Sequence, residues 1–496
     1  MTDNAPRPIE PVDPFTFVLH GSSGDLARRK ILPALAHLAA SGYIQSASRI
    51  ILAQRQPVTP EEALAQTDEF LAGNGEEAAR KALPALKPLL STVPLTLGEP
   101  QAAGCLEAAM QGAPAPVVHY AALPSSRFID LMGLIKGPRD PAKLRVVLEK
   151  PLGTSGSDSR SIEDVVARHV DECQVYRIDH YLGKQAVQNL VALRLGNLIF
   201  DPLFNREHVA QVQITLAEDL GVEGRAEFYE QSGALRDMVQ SHMLQLLATL
   251  AMDPPISLDA DALRDEKLKI LRSLKVPRVS GRDSDVVIGQ YVAGHMNGRP
   301  VPGYQQEKGV PRGSKTESFV ALRTEVNTWR WAGVPFLLRT GKRMPERSAE
   351  IVVQFREVPV QLYTPMGGQW SGNRLVVSLQ PEDSLRLQIL AKAPGQRDCL
   401  QPVSLNLDFS DAWRIPVRDA YERLLTDILR GRLSLFLRRD EVEAQWSFVD
   451  RLQAELQAHA MQPLAYPAGS YGPPESTALA FRTGGAWSES LRLAGG

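Results

Sequence analysis

Two domains are what this chain of 496 residues predicts: an α/β unit with a doubly wound parallel sheet, then a larger α+β unit on a mainly antiparallel sheet. Three observations predict them. The length exceeds the roughly 250–300 residues at which a single hydrophobic core stops growing. The first part alternates short apolar runs with helical patterns, as a parallel sheet covered by helices does. From about Val209 onward apolar residues recur at every second position, as in strands with one buried face.

The strand-like runs of the first part are Phe15 to His20, Ile50 to Ala53, Val117 to Ala121, Leu144 to Leu148 and Gln174 to Ile178. Helix-like stretches such as Leu26 to Ala40 and Ser125 to Lys136 separate them. The alternating runs of the second part are Val209 to Leu216, Phe319 to Val326, Ile351 to Phe355, Leu375 to Leu379 and Leu385 to Leu390. Helices over Gly233 to Leu250, Asp419 to Arg430 and Glu441 to Gln457 are expected to cover one face of that second sheet. The reading is a disordered tail at 1–13, a first domain at 14–180, and an α+β domain at 181–496.

A net charge of −2 gives no reason to expect nucleic acid or an anionic membrane as a partner. Met1 to Pro14 lacks the basic start and apolar run of a signal peptide, and no later segment reaches a membrane-spanning apolar length. A cytoplasmic protein is the expectation. Cys105, Cys173 and Cys399 are odd in number and far apart, and read as small packing residues rather than a disulfide framework or metal site.

Chemistry begins where the first strand runs into Gly21-Ser22-Ser23-Gly24-Asp25-Leu26 and then a helix. Glycines at such a turn let the backbone approach a ligand, and the free N–H groups at a helix start attract a pyrophosphate. The spacing departs from G-x-G-x-x-G, so the turn alone is equally an ordinary strand-to-helix turn. The second strand, Ile50 to Ala53, is followed by Gln54 and Arg55, where an NAD-preferring site offers a carboxylate. A guanidinium there suits a 2′-phosphate and tilts the choice toward NADP, with NAD second.

Glu149-Lys150-Pro151-Leu152-Gly153 follows another strand, and a lysine at a strand's carboxyl end can reach a cleft, although most exit lysines are solvated. Arg177-Ile178-Asp179-His180-Tyr181-Leu182-Gly183-Lys184 is dense in ionisable groups before a helical pattern. His180, Tyr181 and Lys184 at a helix start suit a phosphate; the alternative is a salt-bridged surface turn. His242, in Arg236-Asp237-Met238-Val239-Gln240-Ser241-His242, has the side chain for proton removal near neutrality, with Asp179 as a candidate carboxylate to hold its tautomer. On a leucine-rich helix a histidine is otherwise a core residue. In an α-helix Asp237 and His242 lie about 140° apart and flank a site rather than share one stripe.

The segments GSSGDLA, EKPLG, RIDHYLGKQ and GALRDMVQSH, in this order, resemble the G-A-S-G-D-L-A, E-K-P-F-G, R-I-D-H-Y-L-G-K-E and G-I-I-R-D-x-x-Q-N-H motifs of glucose-6-phosphate dehydrogenases. FNREHVAQVQIT, VPRGSKTESFVALRTEVNTWRWAGVPFLLRTGK and YERLLTDILRGRLSLFLRRDEVEAQW also resemble that family, so the likeness spans nearly the whole chain. The resemblance implies a Rossmann-like first domain and oxidation of glucose 6-phosphate to its lactone with NADP. It implies His242 as base, Asp179 as its orienting carboxylate, and His180, Tyr181 and Lys184 on the phosphate. Lys150 falls between sugar and nicotinamide, Glu218 and Asp237 on sugar hydroxyls, Lys342 on substrate, and Gly21 through Leu26, Arg55, Tyr120 and Lys150 on the cofactor. It requires no metal, makes 181–496 the substrate and oligomerisation domain, and suggests a homodimer or homotetramer. Ser22, Leu152, Gln185 and Ser241 depart from the motifs without deleting a catalytic group. Another hexose 6-phosphate dehydrogenase, or a silent NADP-binding sensor, are the competing readings.

Overall fold

The computed structural model describes residues 10–281, 283–360, 362–365, 372–392, 395, 399–408 and 419–489. They form two compact units: Met1–Gly183 with Asp259–Asp261 and Arg418–Arg439, and Lys184–Leu258 with Ala262–Val417 and Asp440–Gly496.

The first unit is built on six parallel strands, β1 (Thr16–His20), β2 (Arg49–Gln54), β3 (Leu90–Pro94), β4 (Val117–Ala121), β5 (Leu144–Leu148) and β6 (Val175–Arg177). Their order is β3-β2-β1-β4-β5-β6. Such an order reverses direction at β1, and the crevice for a dinucleotide opens at the strands' carboxyl ends there. Every residue of β1 and β5 is buried, because helices cover both faces. Successive side chains of β1 alternate faces: Phe17 and Leu19 join one core with Leu35 and Leu38, while Val18 joins another with Ile51, Val93 and Leu106.

Two expectations are corrected here. Residues 1–9 of the expected tail lie outside the described residues, but Val12 is buried and its N–H donates to Tyr43 O at 3.0 Å. The helix Ala420–Arg430 belongs to the first unit rather than to the second sheet: Tyr421, Leu424, Leu425, Ile428 and Leu429 join the core of Phe17 and Leu19. Its apolar stripe marks an amphipathic helix, but a stripe does not say which core it enters.

The second unit carries β7 (Val209–Ala217), β8 (Val286–Val292), a small ribbon of β9 (Gly294–Met296) and β10 (Arg299–Val301), and β11 (Phe319–Glu325), β12 (Pro335–Gly341) and β13 (Ser348–Phe355). β14 (Thr364–Pro365), β15 (Arg374–Gln380), β16 (Ser384–Lys392), β17 (Cys399–Asp408) and β18 (Leu464–Pro467) complete it. Ten strands form one mixed sheet, β14-β17-β16-β15-β13-β7-β12-β11-β8-β18. Most neighbours are antiparallel, but β7 and β12 run parallel, pairing Ala217 with Gly341. The residues after these strands, Glu218 and Lys342, therefore leave the sheet side by side at the same end. No helix among the described residues is long and apolar enough to cross a membrane.

Candidate active site

Gly21 sits at the reversal point of the first sheet with φ +80°, a region L side chains avoid. A Cβ built there would lie 2.4 Å from Ala122 O, so the turn admits only glycine. Its N–H donates to Ala53 O, and Ser22 Oγ donates to Gln54 Oε1 at 3.0 Å, tying the turn to the end of β2. Ser23, Gly24 and Asp25 are exposed beside it, and Leu26 is half-buried. A cleft of about 450 Å³ lies alongside, lined by Ser23, Arg28, Gln54, Arg55, Gln56, Val58 and Gln66. None of these is acidic, and two are cationic. Arg28, which donates to Gln66 Oε1 at 2.9 Å, was not singled out from sequence, since an arginine on an exposed helix turn looks like any other.

At the end of β5, Glu149 is buried and Lys150 half-buried. Tyr120, on the neighbouring β4, is fully buried and donates its hydroxyl to Glu149 Oε1 at 2.5 Å. What Tyr120 can offer a cofactor is thus its backbone. Burial pushes the Glu149 carboxyl up to about 7, although Tyr120 and Lys150 pull it down.

The run Arg177 to Gly183 divides by role. Arg177 is fully buried and forks onto Glu163 and Glu172, so it holds the unit together. Asp179 is buried and accepts from Tyr181 N–H at 3.0 Å, forming a tight turn. His180 packs against Tyr181, with ring centroids 4.8 Å apart, and stacks on Tyr421 at 6.1 Å with planes 14° apart. Gly183 is needed because a Cβ would meet Ala420 O at 2.9 Å. Tyr421 and its helix come from some 240 residues later, so local sequence gave no sign of them.

In the second unit, Lys184 precedes the helix Gln185–Gly196, and its Nζ donates to Leu379 O at 3.0 Å. Glu218 and Lys342, brought together by the parallel β7 and β12, form an ion pair of 2.8 Å. Lys342 Nζ also lies 4.9 Å from the ring centre of Tyr229, and its carbonyl accepts from Tyr466 Oη at 2.7 Å. Burial raises the Tyr229 hydroxyl well above its ordinary value, and the carboxylates of Asp237, Glu218 and Glu317 add to this. Glu218, Asp237 and Lys342 thus gather about Tyr229, which sequence reasoning missed because an aromatic on a helix looks like core.

His242 is buried on a segment whose geometry departs from expectation. Gly233, with φ +60°, breaks the helix Ala226–Ala234, and Leu235–Met243 then winds as a π-helix before Leu244–Ala251 resumes. In a π-helix the hydrogen bonds span five residues, so Asp237 and His242 stack on one side instead of diverging by about 140°. Glu317 fixes the break: its carboxylate accepts from Leu235 N–H at 3.0 Å.

Known proteins resemble this chain along nearly its full length. The family described as "Glucose-6-phosphate dehydrogenase, NAD binding domain" matches residues 18–189, and "Glucose-6-phosphate dehydrogenase, C-terminal domain" matches 191–488. The glucose-6-phosphate 1-dehydrogenase of Rhizobium meliloti is 40% identical over 493 residues, covering 97% of this chain and 99% of that protein. That of Mycolicibacterium smegmatis is 41% identical, covering 97% and 99%. A solved glucose-6-phosphate dehydrogenase in complex with its substrate glucose 6-phosphate superposes with a TM-score of 0.85 at 30% identity, covering 97% and 99%. The enzyme from Mycobacterium avium superposes with a TM-score of 0.81, also at 30% identity, covering 96% and 99%. Whole-length identity of this order, with one fold beneath it, means that the chain belongs to the glucose-6-phosphate dehydrogenase family, oxidoreductases acting on a CH–OH group.

Proposed function

We infer that this protein oxidises D-glucose 6-phosphate to 6-phospho-D-glucono-1,5-lactone, the entry step of the oxidative pentose phosphate route, with NADP as acceptor. The observation that carries the reading is the gathering of Glu218, Asp237 and Lys342 about Tyr229 in a chain of this family. Glu218 and Asp237 accept hydrogen bonds from sugar hydroxyls, which a carboxylate can do in pairs. Lys342 contacts substrate, and its pairing with Glu218 holds its ammonium in place. His180, Tyr181 and Lys184 take the phosphate, whose charge of about −1.5 to −2 suits such donors. His242 removes the proton of the anomeric hydroxyl, and Asp179 orients its ring and stabilises the imidazolium. Lys150 stands between sugar and cofactor. The nicotinamide, when bound, supplies the hydride acceptor; the reading requires no metal.

Gly21 through Leu26, Arg55, the Tyr120 backbone and Lys150 hold the dinucleotide. The crowding that bars a Cβ at Gly21 and the cationic cleft beside Arg55 both fit its phosphates. Arg55 favours NADP over NAD, and Arg28 lines the same cleft. The test is the initial rate of reduced-nicotinamide absorbance with glucose 6-phosphate and either cofactor. Wild type is expected to favour NADP. Arg55→Ala is expected to raise KM for NADP about tenfold, as loss of a charge-assisted hydrogen bond does, while leaving KM for NAD nearly unmoved. An equal rise for both cofactors would sink the role of Arg55.

The homodimer, or a homotetramer of two such dimers, uses the outer part of the second sheet. Val403, Leu405 and Leu407 are 38–58% exposed on one face of β17, and β16 sets Ile389, Leu387 and Leu385 opposite them. An apolar strip of this kind marks an association surface, and closed twofold pairs are the commonest assembly. Leu405→Glu is expected to halve the mass measured by sedimentation at micromolar protein; an unaltered mass would place the interface elsewhere. The cytoplasm is the proposed compartment, where three free cysteines stay reduced.

A further inference from the structure

Glu149 is a carboxylate 5% exposed at the end of β5, and two tyrosine hydroxyls converge on it. One is that of Tyr120, on the adjacent strand at 2.5 Å; the other is that of Tyr421, from the helix Ala420–Arg430. Tyr421 in turn stacks on His180. A dry carboxylate is costly, and an apolar residue would fill the same space without that cost. The placement of this one, between the lysine of the strand exit and the aromatic ring under His180, gives the charge a use.

We propose that Glu149, bridged between Tyr120 and Tyr421, is a positioning residue for the sugar-phosphate oxidation: it sets Lys150 and, through Tyr421, the ring of His180. The proposal rests on the reading of the reaction given above. Ionised, Glu149 accepts from both hydroxyls and balances the charge of the adjacent Lys150. Protonated, it becomes neutral and one of its oxygens becomes a donor, so it no longer accepts from both hydroxyls as a charged group and its hold on the ring beneath His180 weakens. The charged and titratable groups facing this cluster are Lys150, which favours the ionised form of Glu149, the two tyrosines themselves, and His180, stacked on Tyr421. Asp179 and Asp419 act on the Tyr421 hydroxyl, and burial with these carboxylates keeps it protonated. Burial holds the Glu149 exchange at about pH 7, so the ionised, doubly accepting form is present above that pH and lost as pH falls through it.

Glu149→Gln, Tyr421→Phe and their double variant test this, with Tyr421→Phe as the mild change should the first fold poorly. Each single variant is expected to raise KM for glucose 6-phosphate about tenfold at pH 8 with kcat largely kept. The double variant should be no worse than the poorer single, because both cut one unit. The KM ratio of Glu149→Gln to wild type, in which the substrate's own phosphate ionisation cancels, should be largest above pH 7 and approach one below it. An infrared pH titration of the substrate-free protein, taken as wild type minus Glu149→Gln so that other raised carboxyls such as Asp427 cancel, should show a carboxylic-acid carbonyl band disappearing through about pH 7. A KM ratio that is flat with pH, or a difference spectrum without that band, would overturn the proposal. Wild-type protein that titrates the band but does not oxidise glucose 6-phosphate would overturn the reaction while upholding the Glu149 cluster.

Discussion

His242→Asn is expected to lower kcat with glucose 6-phosphate and NADP about 10³-fold, with KM for both altered little. Removing a positioned general base costs roughly 10²–10⁴ in rate. Asparagine keeps a polar group of similar reach but cannot take a proton near neutrality. The loss belongs to kcat because the proton moves only as the anomeric carbon is oxidised, so binding of the ground state is spared. His242 is 1% exposed and sits on the π-turn that also carries Asp237, so its ring is held by the surrounding packing rather than by a loop. Steady-state kinetics over pH, with NADP binding measured by fluorescence, check this. An asparagine variant that turns over like wild type while binding NADP would move the base to another residue.

The parts of the fold that show in the sequence are those dictated by local pattern. β1, β4 and β5 are short, nearly continuous apolar runs because helices cover both faces of their sheet. β3 escapes notice: it is an edge strand of five residues, Leu90–Pro94, just after Pro88. β12, Pro335–Gly341, is buried along nearly its whole length at the centre of the second sheet and so shows no alternation. β17 is hidden for the opposite reason, since Pro402 within it reads as a strand breaker and its apolar face is exposed. The helix Ala420–Arg430 shows a clear stripe, but its assignment to the first unit is a tertiary fact.

The candidate site divides along the same line. Gly21, Asp179 and His242 stand in motifs that are contiguous in the chain. The pairing of Glu218 with Lys342 depends on a parallel register between strands more than a hundred residues apart. The shared side of Asp237 and His242 depends on a π-helix, for which an α-helical count of residues gives the wrong angle. Tyr229, Tyr421 and Arg28 are ordinary in sequence and informative only beside their neighbours.

Glu163→Ala is expected to destabilise the first unit by about 3–5 kcal/mol, the range for removing one partner of a buried ion pair. Arg177 and Glu163 are each 1% exposed, and the guanidinium donates to both Glu163 oxygens at 2.7 and 2.6 Å. Glu172 accepts two further bonds from a position 38% exposed, and Leu437 O accepts another. Burial opposes the charge on Arg177, but the two carboxylates outweigh it and raise its proton affinity above the ordinary value. Without Glu163 the guanidinium stays charged and keeps only a partly solvated carboxylate and the Leu437 carbonyl. For a unit of about 200 residues the loss corresponds to roughly 10 °C in melting temperature. Scanning calorimetry should show it as an early transition that NADP partly restores, since a ligand that binds the folded form stabilises it by mass action. Arg177→Met combined with Glu163→Leu should recover much of the loss, because the cost lies in stranding a charge rather than in lacking the pair. Arg177 opens the turn that carries Asp179 and His180, so the double variant also separates stability from chemistry. If it melts near wild type yet has a raised KM for glucose 6-phosphate, the buried fork aims that turn as well as anchoring it; if its KM is also wild-type, the fork serves stability alone.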